Sequence, residues 1–362
     1  MKTHIVLLSC LYLPAILCYS SGEETNSAKA LRLGAFGKPA VSTRHVTVYP
    51  APENEVLNTK YKVTADGQEV SVYDIKVASG SEENRIKARE DIATSGNYFD
   101  VAGMAYFDLR SGPVTVAVSV EVPIAKARIL PESLGITPEI KGGTLRFNID
   151  KPQNLTVEIN GESVRSLHVF VSAEETDIPD VNDPDVVYFA PGSYRLPAAE
   201  IEDGTTVYVA GGAVVHCYIG PHEWYTINPV TKQNNYDKFY MFDLNGKNIT
   251  FRGRGIIDQG GIPTHSRRIV RIHGEKIKLE GVIFRDPSEW AIDIQNSTDV
   301  TIDNVKIIGY RAQTDGIEIN SSSGVRIENS FIRSFGHPIV DNQSTNIVDK
   351  NTVIWDLNRT DR

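Results

Sequence analysis

The sequence predicts an all-β chain, with an N-terminal antiparallel β-sandwich followed by a parallel β-helix that is incomplete at the C-terminus. Three observations carry this expectation. Short Val/Ile/Thr runs recur between Gly, Asn and Asp, with 28 glycines in 362 residues, as strands and turns require. From about His45 to Ala173 apolar residues alternate with period two. Beyond residue 185 that alternation gives way to a unit recurring at separations of 22 to 28 residues.

At the N-terminus, Lys2 and His4 precede an apolar run from Ile5 to Leu17, and Ser20, Ser21 and Gly22 follow. The run is too short to span a bilayer and has the layout of a secretory signal peptide. Residues 1–20 are therefore expected to be removed and the protein secreted, with no membrane attachment afterwards. Cleavage leaves only Cys217 of the three cysteines, which excludes an internal disulfide and cysteine-based metal sites. No metal or other cofactor is expected. A net charge of −9 argues against a nucleic-acid partner. Asn-x-Ser/Thr triplets begin at Asn154, Asn248, Asn296, Asn320, Asn342 and Asn358 and would permit glycosylation.

The sandwich is expected over residues 40–173. Val114, Val116, Val118 and Val120 alternate with small polar residues, and Leu145, Phe147 and Ile149 repeat the pattern, as do Leu167, Val169 and Val171. Asp66-Gly67 and Asn160-Gly161 lie between such runs and favour two-residue hairpin turns. No catalytic constellation is visible here, and His45 and His168 read as strand residues. Residues 174–184 are acidic, carry Pro179 and Pro184, and read as a linker.

The β-helix is expected over residues 185–362. Its units begin KNITFRGRG at Lys247, EKIKLEGV at Glu275, TDVTIDNV at Thr298, SGVRIENS at Ser323 and TNIVDKNT at Thr345. They place Ile249, Ile277, Val300, Val325 and Ile347 in equivalent positions. No unit contains an amphipathic helix, so each is one coil of strands joined by polar corners. Asn304 and Asn329 suit such corners, because Asn tolerates left-handed backbone and can ladder along a stack.

The segment from Arg285, RDPSEWAIDIQNSTDVTIDNVKIIGYRAQTDGIEI, resembles the pectin-lyase-fold glycoside hydrolases. It is similar to the polygalacturonases and, more closely, to their dextranase and isopullulanase relatives, which favour Gln at the position of Gln313 and carry a sandwich ahead of the β-helix. The resemblance implies a right-handed β-helix and hydrolysis of glycosidic bonds with inversion. It makes Asp315 of Thr314-Asp315-Gly316 the first catalytic acid. Gln313, Tyr310 and Trp290 become candidate sugar-binding residues, and Glu318, between inward Ile317 and Ile319, points outward.

Such chemistry needs a protonated carboxyl for the leaving oxygen and an ionised one for water, about 6.5–9.5 Å apart in inverting enzymes. Coils stack at about 4.8 Å, so acids at corresponding corners reach one linkage. The resemblance puts an Asp-Asp pair one coil after Asp315, where this chain has Gly336 and His337, leaving His337 as the titratable group there. Asp341 is expected on the following face. The Arg-x-Lys that reads a uronate carboxylate is also missing, with Arg285, Arg311 and Arg333 available in its stead. After Asn351-Thr352-Val353-Ile354-Trp355 no cap is visible, so an open apolar edge and a truncated or degenerate sequence are expected.

Three functions remain in play at this level. One is a secreted, monomeric hydrolase acting on a pectic polymer or an α-glucan. The second is a non-catalytic carbohydrate-binding β-helix protein, and the third an adhesive surface.

Overall fold

The computed structural model describes residues 37–220, 226–227, 234–235 and 239–355. The expected signal peptide and Asn358 lie outside them.

Among the described residues, the first half forms two sheets sharing one core. One sheet runs Val41–Ser42, Val46–Val48, Phe99–Leu109, Glu162–Ala173, Gln153–Ile159, Ala127–Leu130, with Val72–Ala78 also paired to Phe99–Leu109. The other runs Gln68–Val70, Tyr61–Ala65, Val114–Val120, Thr144–Ile149, Glu139–Lys141. Alternation decides the faces: Val114, Val116 and Val118 are fully buried with Leu145, Phe147, Val157 and Val169. Asp66 and Gly67 take φ of 49° and 79°, and Asn160 and Gly161 take 57° and 84°, the paired left-handed residues of a tight hairpin. The sandwich departs from a purely antiparallel one in a single pairing. Glu162–Ala173 lies parallel to Phe99–Leu109, because the chain between them first visits the other sheet. Helix Glu82–Glu90, which period-two reading did not reveal, follows Val72–Ala78.

Residues 174–184 form no strand or helix, yet their start is anchored, with Tyr208 donating to Glu175 Oε2 at 2.9 Å.

The second half is a parallel β-solenoid of about six turns over residues 192–354. Its first face stacks Val186–Phe189, Thr206–Val209, Thr250–Gly253, the end of Arg268–Glu280, Thr298–Asp303, Ser323–Glu328 and Val348–Lys350. The second face stacks Gly192–Leu196 through Ala213–Cys217, Ile256–Asp258, Ile283–Arg285, Lys306–Ile308 and Phe331–Arg333 to Val353–Ile354. The third carries Ala199–Ile201, Tyr240–Lys247, the start of Arg268–Glu280, Ile292–Gln295, Ile317–Asn320 and Ile339–Asn342. Ile277, Val300 and Val325 stack in register inside, as the repeat requires. Asn304 and Asn329 take φ of 56° and 51°, as the corners require, but the expected ladder has only its last rung: Asn351 donates to Asn329 Oδ1 at 3.2 Å, whereas Asn329 donates to Asp303 and Asn304 to Ser172 of the sandwich.

The two halves meet along the second face. Arg254 Nε donates to buried Asp108 Oδ1 at 2.8 Å. Glu55, from a sandwich loop, receives Arg285 Nη1 at 3.0 Å and lies 2.8 Å from His216 Nε2. His168 is fully buried. Arg333 can only donate, so His168 Nε2 accepts from its Nη1 at 2.8 Å and Nδ1 donates to Thr156 at 2.7 Å. Burial holds this imidazole well below its usual pKa. Trp355 is no open apolar edge. It is 5% exposed and meets His168 edge-on at 5.6 Å.

Candidate active site

The third face carries the site. In Ile317–Asn320 the two isoleucines point in and are fully buried, which turns Glu318 outward. Register extends that position through the coils as Asp243, Arg271, Asp293, Glu318 and Val340. Parallel stacking makes this row a charge ladder: Arg271 Nε reaches Asp243 at 2.7 Å, and Arg268 pairs with Asp293. Continuing the register three residues back gives a second row, Tyr240, Arg268, Trp290, Asp315 and His337. Guanidinium and ring alternate here too, Arg268 over Trp290 at 4.0 Å and Arg271 over Tyr240 at 4.2 Å.

Asp315 is the centre of the arrangement. Its Oδ1 accepts the backbone N–H of His337 at 2.5 Å, and the His337 Nδ1 lies 3.4 Å away. His337 follows Asp315 directly in the stack, on an 80% exposed side chain. Glu318 is 5% exposed. Burial first, then a hydrogen bond to Asp315 and the charges of Asp315 and Asp293, push the Glu318 pKa up to about 7 against the pull of Arg268. Glu318, hydrogen-bonded to Asp315, thus keeps its proton up to about neutral pH. A pair in direct contact acts as one proton-donating unit and cannot by itself bracket a sugar and a water.

An open cleft of about 680 Å³ lies over this surface, lined by Trp290, Gln313 and Asp315 together with Glu289, His265 and Arg89. Three of the expected residues, Trp290, Gln313 and Asp315, therefore come together with His337. Tyr310 does not join them. It is 2% exposed and packed against Phe99 of the sandwich at 5.5 Å, on the other side of its corner. Nor do the three arginines: Arg285 binds Asp258 and Glu55, Arg311 reaches the Tyr310 hydroxyl, and Arg333 binds His168. Asp341 sits on the same face as Asp315, in register with inward Ile319, instead of on the next.

Sequence reasoning passed over Arg89, His265, Glu289, Asp293 and Arg268. Asp293 had a visible signal, since Ile292-Asp293-Ile294 and Ile317-Glu318-Ile319 are successive repeats of one pattern. Arg89 had none, because it comes from the sandwich. Among the described residues no cluster of side chains suited to a metal ion is found, and no helix is long and apolar enough to cross a membrane.

Residues 268–355 match the family model for right-handed β-helix regions. No curated protein matches the chain. Among solved structures, Dex49A from Penicillium minioluteum is similar over 87% of this chain and 84% of its own, at 12% identity and a TM-score of 0.55. A family 28 exopolygalacturonase from Yersinia enterocolitica aligns over 85% of this chain and 71% of its own, at 13% identity and a TM-score of 0.37. A candidate glycosyl hydrolase from Parabacteroides merdae aligns over 47% and 81%, at 20% identity and a TM-score of 0.38. The Dex49A likeness spans both halves, since 87% exceeds either alone, and it establishes the fold that the resemblance to pectin-lyase-fold glycoside hydrolases implies.

Proposed function

We propose that this protein is a secreted polysaccharide hydrolase of the β-helix type, acting at the cleft over Trp290 and Asp315. The observation that carries the reading is the hydrogen bond between Asp315 and Glu318, which holds a protonated carboxyl near neutral pH at a cleft lined by the half-buried Trp290. Glu318 takes the role that the missing pair would fill. Its proton goes to the glycosidic oxygen as the C1–O bond breaks, and Asp315 steadies the positive charge developing on the sugar. Glu289, held by Arg268 at 3.6 Å, is the remaining carboxylate on the cleft wall and the candidate to take the proton of the attacking water. Trp290 offers the apolar face of the sugar a flat partner. The test is release of reducing ends from polygalacturonate and from dextran. Loss of release in both Asp315→Asn and Glu318→Gln supports the reading, and full activity in either variant ends it.

A second reading, binding without cleavage, rests on Gly336. No acid occupies that position, and the Asp315 oxygen facing it is already capped by the His337 N–H. Polysaccharide that retards the protein in a native gel while no reducing end appears would select this reading.

A further inference from the structure

The sandwich sends one element to the cleft. Between strands Val72–Ala78 and Phe99–Leu109 the chain forms helix Glu82–Glu90 and the 3-10 turn Ile92–Asn97. Ser81 caps the helix by accepting from the Asn84 N–H, and Arg85 Nη1 donates to the Ser79 and Gly80 carbonyls at 3.0 Å each. The turn rests on the β-helix: a Cβ at Gly96 would meet Thr264 Oγ1 at 3.2 Å and the Tyr310 hydroxyl at 3.7 Å. Lys76 lies over the Phe99 and Tyr310 rings at 5.0 and 5.3 Å, closing this docking contact.

From the last turn of the anchored helix, Arg89 extends over the Phe335 ring at 5.1 Å and lines the same cleft as Trp290 and Asp315. The carboxylates lining the cleft are committed. Arg268 holds Glu289 and Asp293, and Asp315 holds the His337 N–H and Glu318. Arg89 is exposed and, among the described residues, contacts a ring face and no carboxylate. A guanidinium lying over an aromatic ring keeps its N–H edge directed outward, the geometry that binds a carboxylate or sulfate through two parallel hydrogen bonds. We propose that Arg89 is a specificity residue that reads an anionic group, carboxylate or sulfate, on a sugar bound in the cleft. The inference rests on the cleft being a polysaccharide site. The chain's net charge of −9 opposes general attraction to anionic polymers, so any preference for them has to be local.

The experiment is retardation of the full-length protein in native gels containing polygalacturonate, dextran sulfate or unmodified dextran. The parent is compared with Arg89→Gln, Arg89→Lys and Lys87→Gln, the last being a surface ion-pair residue of the same helix. The expected result is at least about tenfold tighter retention by one anionic polymer than by dextran. That preference disappears in Arg89→Gln, survives in part in Arg89→Lys and is unchanged in Lys87→Gln. Retention by polygalacturonate identifies the carboxylate, and retention by dextran sulfate alone identifies the sulfate. Equal retention by dextran, or equal losses in Arg89→Gln and Lys87→Gln, overturns the inference while leaving the polysaccharide site standing. Absence of retention by all three polymers overturns both.

Discussion

Gly336 leaves no room for a side chain beneath Asp315: a Cβ there would lie 2.2 Å from Asp315 Oδ1 and 2.7 Å from the Thr314 carbonyl. The absence of an acid at this corner is therefore built into the packing as well as the sequence. The coil closes through the Gly336 N–H to Thr314 O at 3.0 Å, and that closeness brings the His337 N–H onto Asp315.

Restoring an acid by Gly336→Asp is accordingly expected to destabilise. The loss should be about 1–3 kcal/mol, measured by urea unfolding, with no gain in reducing-end release. A variant that is as stable as the parent and more active would show that the corner opens more readily than this contact allows.

Glu318 should impose a pH dependence on both activity and stability. Its folded pKa of about 7 lies above the 4.5 of an unperturbed Glu. Below 4.5 both folded and unfolded chains hold the proton. Between 4.5 and 7 only the folded chain does, so rising pH favours unfolding, and above 7 the penalty is complete. Glu318→Gln should remove a penalty on the order of 1–3 kcal/mol above pH 7 while abolishing cleavage. Parent activity should decline as pH rises through about 7. Parallel stability profiles for parent and variant from pH 5 to 8 would contradict the raised pKa of Glu318.

His216 should set a limit on the alkaline side. Burial alone would lower its pKa, but hydrogen bonds to Asp258 at 3.0 Å and Glu55 at 2.8 Å outweigh it and push it up to about 9. Being raised from 6.5, the group contributes stability in full below 6.5 and loses it as pH rises through about 9. The melting temperature of the parent should fall across that window, and that of His216→Gln should be lower at pH 6 and flatter. Arg285→Met should cost about 3–5 kcal/mol at neutral pH, since it strands Asp258 and Glu55.

Tyr310 should behave as a structural residue. Tyr310→Ala is expected to cost about 3–5 kcal/mol by emptying the contact with Phe99. Tyr310→Phe should cost only about 1 kcal/mol, for the lost bond from Arg311 Nε at 3.3 Å. Trp290→Ala should do the reverse, weakening polysaccharide retention about two- to tenfold with little change in melting temperature. Calorimetry and gel retardation on the same three variants separate the roles.

The sequence by itself determined the architecture. Apolar alternation and a recurring unit are local patterns, and in parallel stacking each local pattern finds its partner one coil away, so Ile277, Val300 and Val325 could be aligned without coordinates. The same logic placed Asp315 over Gly336 and His337, and it could have paired Asp293 with Glu318. What lay across the chain was not legible. The approach of helix Glu82–Glu90 to the cleft depends on how the sandwich docks, and that docking is made by Phe99 on Tyr310 and Glu55 on Arg285, 211 and 230 residues apart. Docking also decided which arginines were free to face a ligand. Arg285, Arg311 and Arg333 looked like corner cations because solvent and the sandwich surface are indistinguishable in a repeat pattern. Only tertiary structure shows that the sandwich covers them and brings Arg89 to the cleft.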